Sequence, residues 1–300
     1  MARSADPLFL LAPARSYSTV SVALLSGHRR LFGFPEMLIF SEPPGRLISA
    51  AENEAGIRRA ISLNRLSGIR RAVAEIEFGD QRPTSIEGAL AWLKRRSHWS
   101  GQRLFNHLLA RIAPLTGIEK SPETVLSEQA LRRCVTSYPQ ARFIHLTRHP
   151  TTSLRSMIDH FGRFPGAVGE RPALYAAYSW YSSHRRILRA TNKLPVEQAV
   201  RIRSEDLLRD PLDRLPLILD WLSLEYDDDC LARMLRTEEW PFSGTGDQHD
   251  LLGGDWKFLT SPQLKPVTMP DEVVFDDTWC LPGEVKLRIV ELARELGYVE

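Results

Sequence analysis

The sequence predicts an α/β protein, a parallel central sheet flanked by helices and carrying a helical insertion. Three observations predict it. An apolar run, Leu8 to Ala12, leads through a turn into a helical pattern; "ARFIHLTRHPTTSLRSMIDHF" repeats that order; and "QAVRIRSEDLL" alternates Val200 and Ile202 with Arg201 and Arg203 before another helical pattern. Strands that alternate with helices imply parallel pairing with both sheet faces covered.

Taken in order, Leu8 to Ala12 is the first buried strand and "APARSYST" the turn that leaves it. Val20, Ala23, Leu24 and Gly27 recur at helical spacing, and Phe34 to Phe40 is expected to be the next strand. Pro43, Pro44 and Gly45 then open a different stretch. Residues 45–115 read as a helical insertion or cap, with Ile57, Ile61, Ile69, Val73 and Ile76 at helical intervals. "GIRRA" occurs at Gly56 and at Gly68, but two copies of five residues do not make a repeat architecture. The arginines Arg58, Arg59, Arg65, Arg70 and Arg71 read as a solvated helix face, with docking to an acidic partner as the alternative. In the second unit Phe143 to Leu146 form the strand, and Pro150 suits the first turn of its helix. Residues 241–270 are rich in Gly and polar side chains, too long for an idle connection, and are expected to be an active-site lid loop. "GEVKLRIVELARELGYV" closes the pattern as an amphipathic helix, Val285, Ile289, Leu292 and Leu296 inward and Gly297 at its stop.

A chain of 300 residues with 43% hydrophobic content supports a substantial core, read as one domain over 1–300. The formal charge of +2 is too small to argue for nucleic acid, so anion binding must come from local cations. Cys134, Cys230 and Cys280 are scattered, without the spacing of a disulfide scaffold or zinc site, and no metal is expected. No apolar run approaches membrane-spanning length, which suggests a soluble protein of the reducing cytoplasm.

The turn after the first strand places Arg15, Ser16, Tyr17, Ser18 and Thr19 at a helix N-terminus, where free N–H groups and the macrodipole favour a phosphate. A bare helix cap would explain the hydroxyls equally well. The Walker pattern GxxxxGK[ST] is absent, since the turn has no Gly and no Lys, and an ordinary nucleoside triphosphatase is disfavoured. Arg148 ends the second strand, and Ser156 lies about two turns along the next helix on the face of Thr152, making a second anion site. Two such sites suggest a ligand with two separate phosphate groups.

"LLAPARSYST", "IHLTRHPTTSLRS", "EKSPETV", "RSEDLLRDP" and "GGDWKFLTSPQLKP" occur in the order found in the PAPS-dependent sulfotransferases, which the chain resembles over roughly residues 8–40 and 118–270. "LLSGHRRLFGFPEMLIF" is most similar to the sulfotransferase domains of modular polyketide synthases and, more distantly, to tyrosylprotein sulfotransferases. The resemblance implies the P-loop-NTPase-like sulfotransferase fold, PAPS as donor, and PAP (adenosine 3′,5′-bisphosphate) as product. It implies a 5′-phosphosulfate loop at residues 10–19 and a 3′-phosphate site at Arg148 and Ser156. It further implies Glu36 as general base, Arg15 on the leaving phosphate and Lys120 on the transferring sulfonate. The acceptor would be a hydroxyl of a small molecule, or of an acyl chain on an acyl carrier protein, in secondary metabolism.

Two departures stand out: Tyr17 replaces the Gly usual in the loop, and Ser204 replaces the Tyr usual before Glu205. His184, on one helix with Trp180, and His249, in the late loop, rival Glu36 as base because an unperturbed His is already near the working pH. Two other classes stay open: a nucleotide kinase-like enzyme needing Mg·ATP, and a non-catalytic nucleotide-binding or docking module, for which Tyr17 is the best argument.

Overall fold

A computed structural model describes residues 6–162, 171–245 and 252–299. Its strands are β1 (Leu8–Leu11), β2 (Leu31–Gly33), β3 (Thr116–Glu119), β4 (Arg142–Thr147) and β5 (Ala199–Arg203). They form one parallel sheet in the order β2-β3-β1-β4-β5. Helix α1 (Ser18–Ser26) joins β1 to β2. Between β2 and β3 come α2 (Pro44–Asn53), α3 (Gly56–Val73, prolonged by a π turn to Phe78), α4 (Pro83–Lys94) and α5 (Gly101–Ile112). Short α6 (Glu123–Leu126) and α7 (Glu128–Ser137) precede β4; α8 (Pro150–Gly162) and α9 (Pro172–Thr191) precede β5. The chain continues through α10 (Ser204–Arg209), α11 (Pro211–Leu222), α12 (Asp228–Met234), α13 (Trp256–Leu259) and α14 (Gly283–Glu295).

The period of two along a strand sends alternate side chains into two cores. Phe9, Leu11 and Phe143 join the helices between β2 and β3, while Leu8, Leu10, Ile144 and Leu146 pack against α1 and α10 to α12. All four residues of β1 are buried, which is why this strand reads as an unbroken apolar run. A third cluster ties α8 and α9 to α14 through Trp180, Met157, Ile289 and Leu292.

Phe34 to Phe40 is not a strand. The ladder is shorter and earlier, ending at Gly33, because Pro35 has no N–H to donate and Leu38 adopts a left-handed φ of 56°. Phe34 N–H still reaches Ile118 O of β3 (2.8 Å), but the donors after Pro35 go elsewhere: Glu36 N–H to Gly253 O (2.8 Å), Met37 and Leu38 N–H to Ser121 Oγ (3.0 and 2.9 Å). The segment is buried on apolar side chains yet runs across the sheet end. The arginines of α3 also depart from one solvated face, since Arg71 is buried, with Nη1 donating to Leu252 O at 2.8 Å and Nε to Gln81 Oε1 at 2.6 Å. Burial pushes its pKa down to about 10, still above neutrality. Among the described residues no helix is long and apolar enough to cross a membrane.

Candidate active site

Three cations follow directly on the C-terminal ends of the three central strands. Arg15 lies just past β1, Lys120 is the next residue after β3, and Arg148 the next after β4. β3 and β4 flank β1 on opposite sides, so this is the point where the sheet's winding changes direction, the place where open α/β sheets bind ligands.

The turn after β1 is shaped by backbone rather than by glycine. Arg15 and Tyr17 both take left-handed φ values, 63° and 60°, so the turn alternates in the way that curls successive N–H groups toward an anion. Tyr17 therefore adopts the conformation for which Gly is the usual choice, at a cost of about 1–2 kcal/mol. Its ring carries the Arg148 guanidinium 3.9 Å from the centroid. Ser18 and Thr19 begin α1, whose first turn leaves its N–H groups without intrahelical partners. Ser16 is fully buried, and its Oγ has no partner among the described residues.

The two anion motifs, separated by more than a hundred residues, join through direct contacts. Arg148 Nη1 donates to Arg15 O (2.7 Å) and its Nε to Thr152 Oγ1 (3.1 Å); Arg15 Nε donates to Ser156 Oγ (3.0 Å). Ser156 thus faces Arg15, with Thr152 one turn earlier on α8 facing Arg148. Arg15 Nη1 is paired with Asp255 Oδ1 at 2.5 Å, and Asp255 N–H donates to Thr19 Oγ1 (3.0 Å). Burial lowers the pKa of Arg148.

Lys120 completes the group. It is 1% exposed, and its ammonium donates to Thr19 Oγ1 (2.8 Å) and to Glu36 Oε1 in a close ion pair. Glu36 reaches it because its backbone is held on two sides. A Cβ on Gly68 would stand 1.8 Å from Glu36 O, and Gly253, at φ 68°, lies against Gly68 while accepting the Glu36 N–H. Two further carboxyls crowd the ammonium: burial pushes both Glu119 and Glu123 up to about 7.

Thus Arg15, Ser16, Tyr17, Ser18, Thr19, Glu36, Lys120, Arg148 and Ser156 come together. His184 does not. It shares one helix face with Trp180, as the sequence suggests (ring centroids 4.8 Å apart), but that face is turned inward. Its Nδ1 is hydrogen-bonded to His145 Nε2 at 2.8 Å, and burial lowers its pKa to about 3, so it stays neutral within the core. His249, and with it residues 246–251 of the expected lid loop, lies outside the described residues. Asp255 was not singled out in the sequence; its position directly before the helical turn Trp256–Leu259, which it caps, was the available signal. Ser204, the second departure, has a structural partner, its hydroxyl donating to Thr147 O at 2.7 Å.

The strain at Tyr17 makes one outcome testable. Tyr17→Gly relieves the left-handed backbone but loses the ring under Arg148 and loosens the unfolded chain, effects of about 1 kcal/mol each that oppose one another. Denaturant unfolding should therefore change by less than about 1 kcal/mol, while anion binding weakens as the guanidinium loses its platform. A large loss of stability would instead make the ring chiefly a packing element.

The sequence matches the model described as the sulfotransferase family over residues 7–228. Comparison with curated proteins gives no match. Among solved structures, the chain is similar to the sulfotransferase domain from the Synechococcus PCC 7002 olefin synthase, at 24% identity and a TM-score of 0.73, covering 97% of this chain and 94% of that one. The sulfotransferase domain from the curacin biosynthetic pathway aligns at 23% identity and 0.75, covering 99% of both. Mouse sulfotransferase SULT7A1 complexed with PAP aligns at 13% identity and 0.50, covering 98% of this chain and 84% of that one. At these identities the likeness is one of fold.

Proposed function

The chain belongs to the sulfotransferase family, and on that premise we propose that it moves the sulfonate group of PAPS to an acceptor hydroxyl, releasing PAP. The observation that carries the donor assignment is the contact of Arg148 with Arg15 across the ends of β4 and β1, which makes one continuous site from two anion-binding turns. Such a site suits a nucleotide with phosphates at both ends of its ribose. Arg148 and Ser156, with Thr152 and Tyr17 beside them, would hold the 3′-phosphate, and the α1 N-terminus with Arg15, Ser16, Ser18 and Thr19 the 5′-phosphosulfate.

The reaction is an in-line displacement at sulfur. The acceptor oxygen forms the new S–O bond, the bond from sulfur to the 5′-phosphate oxygen breaks, and the hydroxyl proton passes to Glu36. Charge spreads over the sulfonate and leaving oxygens, so fixed cations and orientation supply most of the catalysis. Lys120 touches both the anion loop, through Thr19, and the base, Glu36, and so spans the line between leaving group and nucleophile. Arg15 neutralises the departing phosphate.

The likeness of residues 24–40 to polyketide-type domains supports an acceptor carried on an acyl carrier protein in secondary metabolism, with a free small-molecule alcohol as the second candidate. Sulfonation would make that hydroxyl a leaving group. The binding-only reading rested on Tyr17, and the left-handed conformation that Tyr17 keeps removes its main support.

The test is a thermal-shift titration with PAP, AMP and Mg·ATP in parallel. PAP at a hundred times its dissociation constant should stabilise the fold by about 2.7 kcal/mol. Stabilisation by PAP above AMP, reduced but still measurable in Arg148→Ala, supports the donor assignment. A stronger response to Mg·ATP would replace it with the kinase-like reading.

A further inference from the structure

We infer that Tyr298 is a positioning residue for the donor site, acting through Glu205 and Thr147 to fix the backbone on both sides of Arg148; the inference rests on the donor reading above. The peptide groups around Arg148 are held by three side chains from two other elements, α9 and α10. The carbonyl before it, Thr147 O, accepts from Ser204 Oγ (2.7 Å). The N–H after it, of His149, donates to Glu205 Oε1 (2.8 Å). Its own carbonyl accepts from Trp180 Nε1 (3.3 Å). With these fixed, the guanidinium can reach Arg15 O, Thr152 and the Tyr17 ring only along one direction.

Tyr298 supports one of these clamps directly, through Glu205, and holds the Thr147 side chain beside a second. Its hydroxyl donates to Glu205 Oε2 at 3.1 Å, leaving Oε1 for His149, and lies 2.9 Å from Thr147 Oγ1. Its ring stands edge-on to His149, centroids 5.3 Å apart. Tyr298 is 6% exposed and Glu205 1%, so water cannot replace the hydroxyl readily. Tyr298 is itself anchored by Arg203, whose Nη1 donates to Gly297 O at 2.9 Å. Neither Tyr298 nor Glu205 contacts the Arg15, Lys120 and Glu36 group, so their influence should fall on donor binding rather than on the transfer step.

Tyr298→Phe removes the hydroxyl and keeps the ring. Calorimetric titration with PAP should show affinity about tenfold weaker, close to one hydrogen bond's net worth. The acceptor KM should stay unchanged. Made in an Arg148→Ala background, Tyr298→Phe should cost no further PAP affinity, a non-additivity that a general loss of rigidity would not produce. Glu205→Gln, which keeps an acceptor for the His149 N–H, should retain more affinity than Glu205→Ala and serves if Tyr298→Phe folds poorly. Unchanged PAP affinity in Tyr298→Phe, or an equal loss in both backgrounds, overturns the positioning role alone. Failure of the unmodified protein to bind PAP overturns the donor reading, and this inference with it.

Discussion

Replacing Glu36 by Gln is expected to lower kcat by roughly 10²- to 10⁴-fold, the range general-base catalysis supplies, with PAP affinity unchanged. Gln keeps the shape and an oxygen for Lys120 but cannot take a proton. The backbone that aims the side chain, clamped by Gly68 and Gly253, does not depend on the carboxylate. The variant therefore separates chemistry from placement. His249→Ala is the necessary companion. Full turnover by Glu36→Gln beside lost turnover by His249→Ala would assign the base to the histidine, whereas the reverse supports Glu36. Single-turnover rates with saturating donor keep product release from masking either result.

Lys120→Met should be nearly as damaging to turnover, by roughly 10²- to 10³-fold, since it removes a fixed donor that is itself buried. It should also alter stability in a pH-dependent way. Glu119 and Glu123 titrate near 7 in the folded protein, above the ordinary carboxyl range, and the Lys120 charge pulls both downward. A carboxyl whose folded pKa is raised makes the native state bind more protons than the unfolded chain. Stability therefore falls as pH rises between about 4.5 and 7. Without Lys120 both carboxyls move higher, so the variant should lose stability more steeply over that interval and beyond it. Unfolding curves from pH 5 to pH 8 compare the two slopes directly. Parallel slopes would mean that the ammonium is not what balances these carboxyls.

How much the sequence discloses depends on where the physics is local. β1, β4 and β5 are legible because apolar alternation and the turns beside them lie within a few residues. β3 is not: "TGIE" holds one aliphatic residue and a glycine, and it is a strand only because β1 and β2 pair with it. The apolar run Phe34 to Phe40 misleads for the converse reason, being mostly buried yet unpaired with a strand beyond the Phe34 N–H. In the site, Arg15, Arg148 and Ser156 are readable because strand ends and helix N-termini impose a local order on charges and hydroxyls, whereas Lys120 and Glu36 are singled out only by the family resemblance. Asp255, Glu205 and Tyr298 gain their roles from partners many residues away, and no spacing rule announces them. His184 shows the limit of helical periodicity, which identifies a face but not the direction in which that face is turned.

The crossing of α3 with the late loop bears on how such proteins can be recombined. Gly68 lies on Glu36 and against Gly253, and three residues farther along α3 Arg71 holds the carbonyl of Leu252. A chimera that imports residues 45–115 from a relative would break this join unless it also imports the matching turn around 252–255. The transferable unit is thus discontinuous in the chain, two segments exchanged together or not at all.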